Sequence, residues 1–191
     1  MPQPFNPAVM TNAGAQLLTR AQAGEITLEF TRMAIGDGVY STSEKTVSAL
    51  QARTALKHLR NSYALSGVSR ATPTAVRVTA LLSNYDSVSQ QPLVTSGYNI
   101  NELGLYARPK GSTAGEVLYS IAVTSGAAGD YMPPYNGYNP AQITQDYYAT
   151  VDNSGSTTIN TSGAAVLVDD FEALGLSVNE DGELCIEYEE E

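Results

Sequence analysis

The chain has 191 residues, of which 42% are apolar and 16% charged, with one cysteine and a formal net charge of −10. That is enough apolar material for one domain with an appendage, and it excludes a wholly disordered chain, an intrachain disulfide and a multi-cysteine metal site. No apolar run is long enough to span a bilayer, and Met1 to Pro7 has no basic residue ahead of an apolar stretch, so neither a transmembrane helix nor a secretory signal is expected.

In chain order, Pro7 to Ala23 predicts a helix, capped at Thr11 or Asn12, striped by Leu17 and Leu18 and ended by Gly24. Gly14 weakens its interior unless close packing requires it. Glu25 to Ile35 alternates and predicts a half-buried strand, running into a turn or loop at Gly36-Asp37-Gly38. Ser43 to Leu50 predicts a short helix with Ser43 as its cap. Leu56 to Val68 reads as a strand broken near Gly67, and Ala75 to Leu82 as a strand with Val76, Val78 and Ala80 on one face. A polar stretch from Ser83 to Gln91 precedes extended runs at Asn99 to Ala107 and Val117 to Val123, the loop from Pro109 to Gly115 lying between them. Ala127 to Pro140 mixes prolines, glycines and tyrosines and predicts a long loop. Ile143 to Val151 and Ser156 to Thr161 read as strands around a turn at residues 152–155. Leu176 to Val178 and Leu184 to Tyr188 flank a turn at residues 180–182, predicting a hairpin too small to stand alone.

Two units are expected, a body over residues 1–161 and an acidic appendage over 162–191. The expected fold class is α+β: a mostly antiparallel sheet with the N-terminal helix packed on it, plus the small C-terminal hairpin. All ten Lys and Arg lie at or before Lys110, and fourteen of the twenty acids lie beyond it. The acidic half disfavours phosphate-backbone binding and suits either solubility or a basic partner.

Three segments, taken together and in order, carry a resemblance. Thr11-Asn12-Ala13-Gly14 opens the first helix, Phe30-Thr31-Arg32-Met33-Ala34-Ile35-Gly36-Asp37-Gly38 follows, and Asn101-Glu102-Leu103-Gly104-Leu105-Tyr106 comes far downstream. The chain resembles the N-terminal attachment domain of tail-collar and tail-fibre proteins of contractile-tailed phages and related particles. That family shows a T-x-A-G helix start, a strand ending in M-A-[VI]-G-D-G, and an E-L-G-L-Y run. The apolar strand from Leu118 to Val123 and Tyr131-Met132-Pro133-Pro134 also fit, so the resemblance spans about residues 8 to 160. Two departures stand out. Family members continue into a fibre shaft and receptor-binding tip, where this chain has an acidic segment of about thirty residues. Asn101 also stands where the family often carries Arg. The resemblance implies a non-enzymatic structural role in the virion tail, at the baseplate or fibre region. It also implies baseplate and tail-fibre proteins as partners and a homotrimer. Such a domain needs no cofactor, no nucleic acid and no membrane insertion.

As chemistry, the residues point the same way. Gly36, Asp37 and Gly38 suit a ligand loop or a turn whose carboxylate satisfies nearby N–H groups, and one acid does not make a calcium site. Glu102, Gly104 and Tyr106 share one strand face, with Leu103 and Leu105 on the other. Gly104 leaves room for close approach, either by the first helix or by another subunit. His58, the only histidine, has no nucleophile motif beside it, and acids flanking Cys185 disfavour a thiolate. No catalytic residue and no metal ligand is therefore expected. Tyr131, Tyr135 and Tyr138 suit a protein contact, joined as candidate contact residues by Gly104 and Tyr106. The alternatives are a carbohydrate-binding host-recognition module using the tyrosines, and a cell-envelope hydrolase, which would need two acids facing one cleft.

Overall fold

The computed structural model describes residues 5–72, 75–112, 115–150, 156–157, 159–160, 176–178 and 184–186. The chain divides into two compact units, Met1–Thr161 and Ser162–Glu191.

The first unit runs β1 (Ala8–Met10), α1 (Asn12–Gln22), β2 (Leu28–Gly36), α2 (Val47–Gln51), β3 (Leu59–Thr72) and β4 (Ala75–Ser83). It continues with β5 (Tyr85–Asp86), β6 (Gln91–Pro92), β7 (Tyr98–Ile100), β8 (Glu102–Pro109), β9 (Val117–Val123) and β10 (Asp130–Met132). The last strands are β11 (Gln142–Thr150), β12 (Ser156–Thr157) and β13 (Ile159–Asn160). Nine of these strands form one antiparallel sheet in the order β12-β1-β9-β8-β2-β3-β4-β11-β13, curled as a half-barrel. Two-stranded ladders pair β5 with β6 and β7 with β10.

The curl has a local cause. Register steps leave one extra residue at Thr31 between β2 and β8, at Ser66 between β3 and β4, and at Tyr119 between β9 and β8. Each bulge bends its strand and adds twist. Alternation sends neighbouring side chains to opposite faces, and both faces of the central strands are covered. Met33, Ile35, Leu103, Leu105, Val78, Leu82 and Tyr147 share one core with Leu17 of α1. Ala34, Tyr106, Leu118 and Ile121 share a second with Leu50 of α2, Tyr40 and Leu56.

The mostly antiparallel sheet matches the expectation, but with helices of only eleven and five residues the body is more nearly all-β than α+β. The first helix starts later than its pattern implies, because Ala8–Met10 pairs with β9 before Thr11 turns the chain. The Thr11 hydroxyl accepts from Gly14 N at 3.0 Å and donates to Leu118 O, and Thr11 N donates to Tyr119 O at 3.0 Å. A Cβ on Gly14 would lie 2.1 Å from Tyr119 O, so the glycine buys a close helix-to-strand approach. Gly24 ends the turn after α1 at φ +76°, a conformation glycine adopts freely.

The second helix is capped by Thr46, not Ser43: its hydroxyl accepts from Ala49 N at 3.4 Å. The predicted break near Gly67 corresponds to the Ser66 bulge in β3. The run from Asn99 divides at Asn101 into β7 and β8, and the long loop holds β10. In the second unit β14 (Leu176–Val178) pairs antiparallel with β15 (Leu184–Ile186). The predicted turns at 152–155 and 180–182 lie outside the described residues.

Candidate functional site

The two motif segments meet at one carboxylate. Gly36 and Glu102 are register partners of β2 and β8, and Glu102 is 0% exposed. Its Oε1 accepts from His58 N at 2.7 Å and Gly38 N at 3.2 Å. Its Oε2 accepts from Lys57 N at 2.8 Å and the Tyr40 hydroxyl at 2.5 Å. Three backbone donors from two loops and one phenol thus share a single side chain. Hydrogen bonding of this kind makes a buried carboxylate tolerable. A Cβ on Gly36 would lie 2.4 Å from both Glu102 Oε1 and His58 O, and one on Gly38 would lie 2.6 Å from that same Oε1. Both glycines of Gly36-Asp37-Gly38 therefore make room for Glu102.

The tyrosine in this cluster is shielded. Burial first, then the hydrogen bond to Glu102, pushes the Tyr40 hydroxyl up to about 12, against the opposing pull of Arg53. Arg53 Nη2 donates to Tyr40 Oη at 3.1 Å, and the guanidinium lies 5.1 Å from the ring centre.

Asp37 does not serve the N–H groups expected of it. Its carboxylate meets His58 Nδ1 and takes Arg60 Nε at 2.8 Å. Burial works to raise this carboxyl, but the bonds to His58 and Arg60 outweigh it and hold it below the ordinary value. Asn101 ties the region to the next loop. Its side chain donates to Asp37 O and accepts from Gly129 N, both at 3.0 Å.

Gly104 and Tyr106 are buried inside the chain's own second core, which corrects their assignment to a contact surface. A Cβ on Gly104 would meet Leu118 Cδ1 at 2.8 Å and Leu56 Cδ2 at 3.0 Å. The first helix covers the opposite face with Leu17, so neither it nor a second subunit explains that glycine. Tyr106 lies under Arg32, whose guanidinium is 3.7 Å from the ring centre, and Leu103 is a core residue of the first cluster.

The tyrosine loop is a different construction. Asn84, 1% exposed, accepts from Ala141 N at 2.8 Å and donates to Pro133 O at 3.1 Å through its side chain. Its carbonyl accepts from Leu93 N and Val94 N. The β5–β6 hairpin and the loop after β10 are thereby joined into one rim. Tyr135 stacks on Tyr85 with ring centres 4.4 Å apart. Tyr131 is 58% exposed and Tyr138 86% exposed, and Val88 on the neighbouring hairpin is 92% exposed. These rings face outward from a rim that backbone hydrogen bonds hold in place.

Sequence reasoning missed Tyr40, Asn84 and Tyr85. Tyr40 acts through the Glu102 carboxylate and Asn84 through backbone groups of Pro133 and Ala141, partners far away in sequence, which leaves no periodic trace. His58 is largely exposed and engaged with Asp37. Among the described residues no group of three or more His, Cys, Asp or Glu could hold a metal ion, and no helix is long and apolar enough to cross a membrane. Comparison with family models, curated proteins and solved structures finds no match for this chain.

Proposed function

We propose that the protein is a structural component of a phage or phage-like contractile tail, connecting tail-fibre or accessory proteins to the baseplate as a homotrimer. The observation that carries this reading is the Glu102 cluster. Both segments that resemble the attachment family converge on it, and Gly38, Tyr40, Lys57 and His58 supply donors to both carboxylate oxygens. A side chain so engaged fixes two loops and has little capacity left for acid–base work. The role is positional: a rigid body presents the rim carrying Tyr131, Tyr135 and Tyr138 to a neighbouring protein. Tyrosine suits that use, since it buries apolar area while its hydroxyl stays hydrated.

A second reading is favoured by Tyr138, whose ring is open to solvent beside a turn in which Asn136 Oδ1 accepts from Tyr138 N and Asn139 N. An open ring beside amides suits stacking on a sugar. The test is immunogold electron microscopy of particles purified from producing cells, using antibody to this chain. Label at the distal end of the tail is the expected result. Particles without label, together with glycan-array binding by the purified chain, would replace the connector with the sugar-binding module.

A further inference from the structure

We propose that the fork between β2 and β3 is a docking slot for a partner protein. Its occupant is an extended segment added as a strand, apolar along its length and acidic at one end. β2 and β3 pair only from Arg32 with Ala64 to Gly36 with Leu59. On the other side of Arg32 they part. Among the described residues, Leu28, Glu29 and Phe30 pair with β8 alone, and Gly67, Val68, Ser69 and Arg70 with β4 alone. The split has a local cause. The bulges at Thr31 of β2 and Ser66 of β3 lie next to the last shared pair, and each bends its strand. Two strand edges are left without a ladder, and an open edge is a template for another strand.

A second fork in the sheet is closed by the chain itself. The β3–β4 ladder stops at Leu65 with Ala80, so residues 81–83 pair with β11 alone. There the Tyr63 hydroxyl donates to Ser83 O at 2.8 Å and Asn61 Nδ2 to Leu93 O at 3.3 Å. Among the described residues no such bridge crosses the first fork. It opens instead on a cavity of about 560 Å³ lined by Leu18 of α1, Leu28, Phe30, Val68, Val76 and Tyr119. Val68 is left 54% exposed at its edge. A strand laid in the fork would send every second side chain into this cavity. Charge sets what else the occupant carries. Glu29 is engaged by Arg108 at 3.1 Å and Glu116 by Arg32 at 2.9 Å. At the wide end of the fork, Lys110 bonds Thr27 O through its backbone N–H, and Arg70 Nε donates to Thr72 O at 3.3 Å. Among the described residues neither cation meets a carboxylate, so an acidic end on the added strand would complement both. The slot shares no residue with the tyrosine rim and does not depend on the connector reading.

The test titrates the full chain into short fluorescein-labelled peptides of alternating valine and threonine, with aspartate at one end or the other, and follows anisotropy. Saturable binding by one of them is expected. Lys110→Glu and Val68→Arg should each weaken it about tenfold, and N-methylation of alternate peptide amides should abolish it. Both substitutions fall at exposed positions, so the thermal melt should stay unchanged and show that the fold is kept. Bound peptide should also slow amide exchange over residues 28–31 and 67–70 while leaving Gly38 and His58 as they were. Failure of both peptides to bind, or equal binding after N-methylation, would overturn the added strand. Slower exchange over the same residues on raising protein concentration alone would put a second copy in the slot and overturn the foreign partner.

Discussion

Glu102 and Asn84 are both buried, and both spend their side chains on backbone groups of neighbouring loops. The loops differ in what they then present. Around Glu102 the chain folds inward: two glycines approach the carboxylate, Tyr40 caps it, and the motif residues vanish into the interior. Around Asn84 the chain folds outward: the loop it steadies leaves Tyr138 in solvent, next to the exposed Tyr131 of β10. Patterned residues here mark architecture, and the surface available to a partner is built from residues without a pattern.

The sharpest way to break this comparison is Glu102→Leu, which strands three backbone donors and a phenol. At about 1–3 kcal/mol for each buried unsatisfied donor, the loss approaches the whole stability of a typical domain. Urea titration should show no cooperative unfolding, and Glu102→Gln, which keeps one acceptor oxygen, an intermediate midpoint. Asn84→Ala should cost less, about 1–3 kcal/mol, because one acceptor and one donor are lost. A thermal melt in which Asn84→Ala equals Glu102→Leu would erase the distinction between the two centres.

Acid sharpens it further. Hydrogen bonds from Lys57 and Ser41 lower the exposed Glu44 carboxyl to about 2. Glu116 is also held low: burial would raise it, but bonds from Arg32 and Thr31 prevail. Carboxyls depressed in the folded state contribute stability above their unfolded value, and that contribution drains as pH falls through the folded one. The melting temperature should therefore fall from about pH 4.5 toward pH 2, and less steeply in high salt because Glu44 is exposed. The smallest effect on folding belongs to Tyr131→Ala with Tyr138→Ala, below about 0.5 kcal/mol in a melt. That pair should nonetheless reduce immunogold labelling of tails, and undiminished labelling would remove the rim from the contact surface.

Legibility followed the same divide. The alternation in Ala75 to Leu82 was readable because burial there favours every second residue, and Val117 to Val123 was readable as a continuous apolar run buried on both faces. Thr11 as a cap and Gly14 as a contact glycine were readable from local chemistry. The pairing of Gly36 and Gly38 with Glu102 was not, because it spans more than sixty residues and depends on the register of β2 against β8. Alternation also failed to reveal that both sheet faces are covered, so Gly104 was read as room for the first helix or another subunit when Leu56 and Leu118 claim that space. The placement of the loop carrying Tyr138 depends on Asn84, which sits in a polar stretch with nothing to distinguish it from a surface residue.

The most direct measurement is amide hydrogen exchange at Gly38, Lys57 and His58, three loop or strand-entry positions whose N–H groups end on Glu102 rather than on a sheet ladder. If the motif is architecture, all three should exchange only by global unfolding, as slowly as the central amides of β8. Exchange at the rate of exposed loop amides would show that the carboxylate is free for other work, and would contradict the account.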